Sequence, residues 1–387
     1  MRDGLDHLMA RKFRLGQSRE AQDMDHREAY SRERGGESKR RQQHAERLET
    51  GIESHDAESQ LRLPDAGPWM HLPEATLIQR HSQWVDLELA DRTLMRATLG
   101  GKLKGVRLVC GDRVRYSVVP VEPDDPRFPA HLPVRGDGGS PEAQVVAVMP
   151  RKTLLRRGGI DDREPWQLIC ANADELWICA AVVDPPLRPG LLERAQILAL
   201  DAGLTFRVIV TKRDRASKKD TLPELDPLRD QGVAIHETSA LNGEGVEALH
   251  GLLVDKVVVL LGHSGVGKST LVNALHPVAA LKTGGLTKFG TGKQTTTASK
   301  WLALAGGGTL VDTPGIRTLS VRGFDRSLLS QVFREFPTEL MEDPLAFDAG
   351  DDDTLERLNL DYPERLLSLQ RLWQEMDDRN PNQNVWR

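Results

Sequence analysis

The chain has 387 residues, with 52 Lys and Arg against 57 Asp and Glu, a formal net charge of −5 and 39% hydrophobic residues. That length holds two or three domains, and no stretch approaches the roughly 18–20 uninterrupted apolar residues of a membrane span. The opening residues lack the apolar core of a secretory signal. Its cysteines, Cys110, Cys170 and Cys179, form neither a disulfide framework nor a C-x-x-C metal pair, so a reducing cytoplasm and buried thiols are expected.

Residues 1–70 interleave Arg and Glu with few apolar side chains, the composition of a disordered charged tail. Lys39-Arg40-Arg41 within it is either an RNA-touching arm or part of a solvated polyampholyte. Residues 71–160 read as all-β: Thr76–Asp86, Leu94–Leu99, Asp112–Val119 and Ala143–Met149 are short β-rich runs. Gly100-Gly101 and Cys110-Gly111-Asp112 supply turns, and the Pro-rich stretch 120–142 reads as a long loop. This is the size of a small Greek-key barrel of the OB type. Arg92, Arg96, Lys102, Lys104, Arg107, Arg113 and Arg115 crowd into it, either a face for phosphate backbones or a merely solvated one.

Over 161–323 strands and helices alternate, as in a mainly parallel sheet with helices on both faces. Leu168–Val183 contains a strand segment from Glu175; Leu191–Ala202 is a helix, and Phe206–Val210 and Val233–Glu237 are strands. Helix Val246–Leu253, strand Val257–Leu261, helix Lys268–Leu275 and strand Thr309–Val311 follow. Residues 324–387 read as an acidic helical segment in which Leu366, Leu369, Trp373 and Met376 recur at helical spacing as a packing stripe, with a polar tail over Asn380–Arg387.

Three motifs carry chemistry. Gly262-His263-Ser264-Gly265-Val266-Gly267-Lys268-Ser269-Thr270 joins strand to helix and matches G-x-x-x-x-G-K-[ST]. Its backbone N–H groups and the helix N-terminus suit phosphate, with Lys268 reaching the β- and γ-phosphates and Ser269 a Mg²⁺ ion. Thr211-Lys212-Arg213-Asp214 closes an earlier strand as [N/T]-K-x-D. The Asp214 carboxylate accepts from guanine N1–H and the 2-amino group, donors that adenine lacks there. Thr238-Ser239-Ala240 fits the loop whose backbone N–H contacts the guanine oxygen. Asp312-Thr313-Pro314-Gly315 supplies a carboxylate for a magnesium-bound water and the Gly315 N–H for γ-phosphate. The next residue is Ile316, which cannot orient water. The Gly-, Thr- and Lys-rich stretch before Trp301 has a switch composition, in which one of Thr295, Thr296 and Thr297 ligates magnesium, Thr296 being favoured.

The base reader thus precedes the phosphate loop, the reverse of the usual order in GTPases. In that order the motifs T-K-R-D, T-S-A, G-H-S-G-V-G-K-S-T, G-K-Q-T-T-T and D-T-P-G-I resemble the circularly permuted ribosome small-subunit-dependent GTPase A family over residues 75–325. The resemblance implies a cytoplasmic GTPase, expected as a monomer, that hydrolyses GTP to GDP with Mg²⁺. It further implies stimulation by the small (30S) ribosomal subunit, a role in its late maturation, and contact of the barrel with ribosomal RNA. Two departures stand out. The family's switch histidine is replaced by Gln294, which can orient water but takes no proton at neutral pH. The family's C-terminal zinc ligands have no counterpart, since neither Cys nor His follows His276, so no zinc is expected. The permutation also ties residues 324–387 directly to the γ-phosphate sensor, either as a nucleotide-driven element or as a passive connection. The alternatives of a different class are a GTP-dependent RNA- or protein-binding switch with incidental hydrolysis, and an ATP-using enzyme in which Asp214 is accidental.

Overall fold

The computed structural model describes residues 66–377 apart from 83, 104, 119–142, 162–163, 218–221, 277–298, 314–318, 352–354, 357, 359, 361 and 363. The Pro-rich loop, the polar tail and most of the stretch 1–70 lie outside the described residues; the end of that stretch, Gly67–Trp69, forms a 3-10 turn instead of continuing as disordered chain.

Strands β1 (Glu74–Arg80), β2 (Val85–Glu88), β3 (Leu94–Leu99), β4 (Arg113–Val118) and β5 (Ala143–Val148) close a barrel in the order β1-β2-β3-β5-β4. Period-2 alternation turns Leu77, Val85, Leu87, Ala97, Val114 and Val145 inward, all fully buried. The run Thr76–Asp86 is two strands, not one. It turns at His81, whose N–H donates to Trp84 O at 2.9 Å, with no Gly or Pro to mark the break.

The basic face expected over 92–115 is largely neutralised across the strands. Arg96 lies opposite Asp86 in the β2–β3 register and pairs with it at 3.1 Å. Arg115 lies opposite Glu74 across β1–β4 and pairs at 3.0 Å, with Arg113 on the same carboxylate. Arg92 pairs with Glu88 at 3.0 Å. Cross-strand pairing of this kind stabilises a sheet, and it is invisible to a charge count confined to one stretch of chain. Lys104 lies outside the described residues.

A hairpin of β6 (Leu154–Asp161) and β7 (Glu164–Ala171) follows the barrel. The segment Leu168–Val183 therefore spans parts of two strands, broken at Asn172, whose side chain donates to Gly111 O at 2.9 Å and accepts from Lys152 N–H at 2.8 Å. The hairpin anchors the barrel. Ala171 N–H donates to Cys110 O at 2.8 Å, and Arg151 grips the fully buried Asp112 through both carboxylate oxygens at 2.7 and 2.9 Å. Gly111 is required at this junction: its φ is +90°, and a Cβ there would lie 2.0 Å from Ala171 O.

The remaining strands form one sheet in the order β10-β9-β8-β11-β13-β12. They are β8 (Glu175–Ala181), β9 (Thr205–Thr211), β10 (Ala234–Glu237), β11 (Val257–Gly262), β12 (Lys300–Ala303) and β13 (Thr309–Asp312). All pairings are parallel except that of the edge strand β12, which the sequence reading omitted. Helices α1 (Pro189–Ala202), α2 (Asp226–Asp230), α3 (Val246–Leu253) and α4 (Lys268–Leu275) connect the strands. Every residue of β8 is buried, which accounts for its unbroken apolar run between two parallel neighbours.

After β13 come α5 (Leu329–Val332), α6 (Thr338–Glu342) and α7 (Arg365–Glu375). The stripe of α7 buries Leu366, Leu369, Leu372 and Met376. Trp373, expected in that stripe, is only half-buried and lies under the Arg326 guanidinium, 4.3 Å from its ring centroid. Positions 372 and 373 lie at equal angles on either side of the line through Leu369 and Met376, so the 3.6-residue period alone does not choose between them.

One buried charge at the far end of β8 is strongly held. Burial opposes ionisation of Glu175, but hydrogen bonds from Arg207 (2.7 Å), Lys256 (2.5 Å) and Trp177 Nε1 (2.7 Å) prevail and bring its pKa from 4.5 to about 2. A depressed carboxylate pKa adds stability that is present above the unfolded-state value and lost as pH falls through the folded one. Glu175→Gln is therefore expected to cost about 2–3 kcal/mol at neutral pH in urea unfolding. That deficit should shrink as pH falls from 4.5 towards 2; a pH-independent deficit would contradict the assignment.

Candidate nucleotide-binding site

The chemistry-bearing residues gather at the carboxyl ends of the parallel strands, where open α/β sheets bind ligands. The phosphate loop leaves β11 at Gly262. Its register partner on β8 is Cys179, and a Cβ on Gly262 (φ +150°) would lie 2.7 Å from Cys179 O. Only glycine lets the loop start this close to the neighbouring strand. Gly267 then caps α4, and Ser269 and Thr270 are exposed on its first turn. Within the loop Val266 is buried in the core, Ser264 and Gly265 are exposed, and His263 Nδ1 lies 2.8 Å from Ser264 O. Lys268 is 8% exposed and donates to Gly262 O at 2.5 Å and to His263 O at 3.2 Å, so its ammonium sits inside the curl of the loop.

The base reader is bonded to this loop. Thr211, at the end of β9, directs its hydroxyl to Val266 O at 2.5 Å, with Ala180 O at 3.2 Å as a second neighbour. Lys212 follows in left-handed geometry and donates to Asp184 O at 2.5 Å, its side chain passing along Gly267. Asp214 is exposed, and one of its oxygens accepts from Ser239 Oγ at 2.5 Å. The backbone closes the same contact, with Arg213 N–H donating to Thr238 O at 3.1 Å. Thr238 and Ser239 are fully buried and Ala240 packs against the core, so the loop after β10 is fixed. Sequence reading assigned this loop a backbone role alone; the Ser239 hydroxyl additionally orients the Asp214 carboxylate.

Asp312 ends β13 beside the loop. Burial raises its carboxyl pKa, opposed by the charges of Lys268 and Lys300. Burial likewise lowers the Lys268 pKa, opposed by the Asp312 carboxylate. Both groups are thus biased towards their neutral forms, and the added charge of a Mg·phosphate would favour ionising both. An exposed hydroxyl on Ser269 and a carboxylate on Asp312 fit Mg²⁺, a hard cation that takes few protein ligands and keeps its waters. Among the described residues no cluster of three or more His, Cys, Asp or Glu side chains could hold a metal. Thr313 fixes the strand end by donating to Leu260 O at 2.9 Å. Lys300, the register partner of Asp312 on β12, was missed in the sequence, where nothing marks an edge strand. Gln294, Thr295, Thr296, Thr297, Gly315 and Ile316 lie outside the described residues.

Strand order and motif positions together define a circularly permuted P-loop GTPase preceded by an OB-type barrel. Residues 148–322 match the RsgA GTPase family. A curated protein from Shewanella oneidensis named small ribosomal subunit biogenesis GTPase RsgA is 32% identical over 266 residues, 67% of this chain and 70% of that protein. A protein of the same name from Chlorobaculum tepidum is 36% identical over 200 residues, 50% of this chain and 64% of that relative, so that match spans a little under two thirds of its length. Among solved structures, YjeQ from Thermotoga maritima is similar with a TM-score of 0.54 and 25% identity, covering 79% of this chain and 98% of that one. YloQ, described as a circularly permuted GTPase, shares the fold with a TM-score of 0.52 and 20% identity over 81% of this chain and 98% of its own. The chain belongs to the RsgA GTPase family.

Because Gly262 has no room for a methyl group, Gly262→Ala is expected to displace the loop and weaken nucleoside-diphosphate binding at least about tenfold. The circular dichroism spectrum should remain that of the folded protein. Wild-type affinity in a fluorescent-nucleotide titration would show that the loop tolerates the clash.

Proposed function

We propose that the protein hydrolyses GTP to GDP and phosphate, that it binds the small (30S) ribosomal subunit, and that it acts late in that subunit's maturation. The observation that carries the nucleotide reading is the Thr211–Val266 hydrogen bond, which makes the guanine reader and the phosphate loop one site across 55 residues of chain. The biological setting rests on relatives named for small-subunit biogenesis. No helix among the described residues is long and apolar enough to cross a membrane, in keeping with a cytoplasmic role.

In this reading Asp214, oriented by Ser239, selects guanine, and Lys212 lines the base pocket. Lys268 leaves the carbonyls of Gly262 and His263 to meet the β- and γ-phosphates, while Ser269, Asp312 and Thr296 hold Mg²⁺. When bound, the ion neutralises charge developing on the transferred phosphoryl group. Gly315 N–H donates to γ-phosphate, and Gln294 orients the attacking water. We take the barrel's RNA contact to be limited by its ion pairs, with Lys102 and the side chains outside the described residues the better candidates for phosphate.

The experiment is GTP turnover with and without added 30S subunits. Subunits are expected to raise the rate at least about tenfold, and Gln294→Ala should remove most of that gain. Equal rates with and without subunits would favour a switch with incidental hydrolysis. Asp214→Ala should lower guanine-nucleotide affinity about a hundredfold or more while leaving the weak ATP affinity unchanged. ATP binding as tight as GTP binding in the wild type would reject the guanine assignment.

A further inference from the structure

We infer that the β2–β3 hairpin of the barrel is a latch on the sheet edge, and that Glu88, Arg92 and Trp301 are positioning residues coupling the barrel to Asp312. The inference rests on the proposed GTPase reading of the site. Glu88, at the end of β2, is 7% exposed, and its Oε2 accepts from Trp301 Nε1 on β12 at 3.0 Å and from Arg92 Nη1 at 3.0 Å. The same Arg92 nitrogen lies 3.3 Å from Thr309 Oγ1, at the start of β13. A single buried carboxylate of the barrel is thus satisfied by both strands of the β12–β13 pair, one directly and one through Arg92.

Arg92 also carries backbone strain. It adopts φ +67° at the hairpin tip, where glycine or asparagine would be relaxed. A bulky residue is kept in this conformation when its side chain has work elsewhere, and here that side chain bridges two domains.

The latch acts close to the chemistry. Trp301 pairs in register with Val311, and its neighbour Lys300 pairs with Asp312. Lys300 is also one of the two cations acting on the Asp312 carboxylate. Among the described residues the barrel is also hydrogen-bonded through Cys110, Gly111 and Asp112 to β7 and the flanks of the β6–β7 hairpin, and β1 packs against β12 beside the latch. A barrel pivoting on that anchor when it engages a partner pulls on Trp301, and Trp301 is one residue from the partner of Asp312. Conversely, a nucleotide that shifts Asp312 shifts the strand the barrel grips.

Reciprocal coupling provides the test. Small-subunit affinity is measured for the full chain loaded with GDP or with a non-hydrolysable GTP analogue, for wild type, Trp301→Phe and Arg92→Gly. Trp301→Phe keeps the ring and removes the donor; Arg92→Gly removes the bridge and relieves the backbone, so it is not expected to compromise folding. All three proteins should bind the two nucleotides with affinities within about twofold of one another. The wild-type ratio of subunit affinities in the two states should be at least about fivefold and should fall to within about twofold of unity in both variants. A ratio that survives either substitution overturns the latch, as does a wild type with no nucleotide dependence while guanine nucleotides still bind. Failure of the wild type to bind GTP at all would remove the nucleotide reading itself, a separable result.

Discussion

One hydroxyl holds the site together. Thr211 and Val266 belong to different strand-and-loop units, two strands apart in a sheet where β8 separates β9 from β11. The Thr211 hydrogen goes to Val266 O, so the loop we propose to recognise guanine and the loop we propose to cradle phosphate have a fixed separation. Guanine and its phosphates are themselves a rigid-ended pair, so selectivity needs that separation to be constant. The order of the motifs along the chain is irrelevant to this requirement, because a parallel sheet fixes neighbours by hydrogen-bonded register and not by succession. Cutting and rejoining the chain elsewhere leaves the register, and hence the site, in place.

A second constraint concerns the chain that leaves the carboxyl end of β13. Beyond Asp312, the segment from Leu319 to Phe324 is held on several sides. Ser320 O accepts from Gly158 N–H on β6 at 2.8 Å, and Val321 N–H donates to Glu375 on α7 at 2.9 Å. The other oxygen of Glu375 takes Arg194 of α1 at 2.5 Å, and Phe324 packs edge-on against Trp166 with centroids 5.1 Å apart. The C-terminal helices are therefore joined to this segment through bonded contacts and a buried stripe. Arg365 adds to this by bonding Glu193 and Glu335 between α1 and the segment after α5. Apolar packing, which the sequence pattern implies, is joined here by ion pairs that the sequence did not reveal.

Much of this was legible in the residues, for identifiable reasons. Helices α3 and α4 were read to the residue because a glycine, Gly245 or Gly267, stands immediately before each apolar period. The barrel was recognisable from short runs bounded by Gly and Pro. Breaks marked by neither were missed, as at His81–Trp84 and at Asn172, where side chains and backbone hydrogen bonds turn the chain. The edge strand β12 was missed because four residues, one exposed and three partly buried, carry no usable period. The neutralisation of the basic barrel residues was missed because Glu74, Asp86 and Glu88 all precede the basic stretch, and the first two meet their arginines only once the strands pair. The candidate roles of the 262–270 loop and Asp214 came from local motifs; the Ser239–Asp214 and Thr211–Val266 bonds, being tertiary, were not legible.

The central claim is that base reader and phosphate loop are one unit joined by the Thr211 hydroxyl. Calorimetric titration of Thr211→Val with GDP tests it most directly, because the substitution keeps the side-chain shape and removes the hydroxyl donor. The account expects the variant to remain folded and to bind GDP at least about tenfold more weakly than wild type, as a buried carbonyl loses its donor and the two loops uncouple. GDP affinity equal to that of the wild type would contradict it.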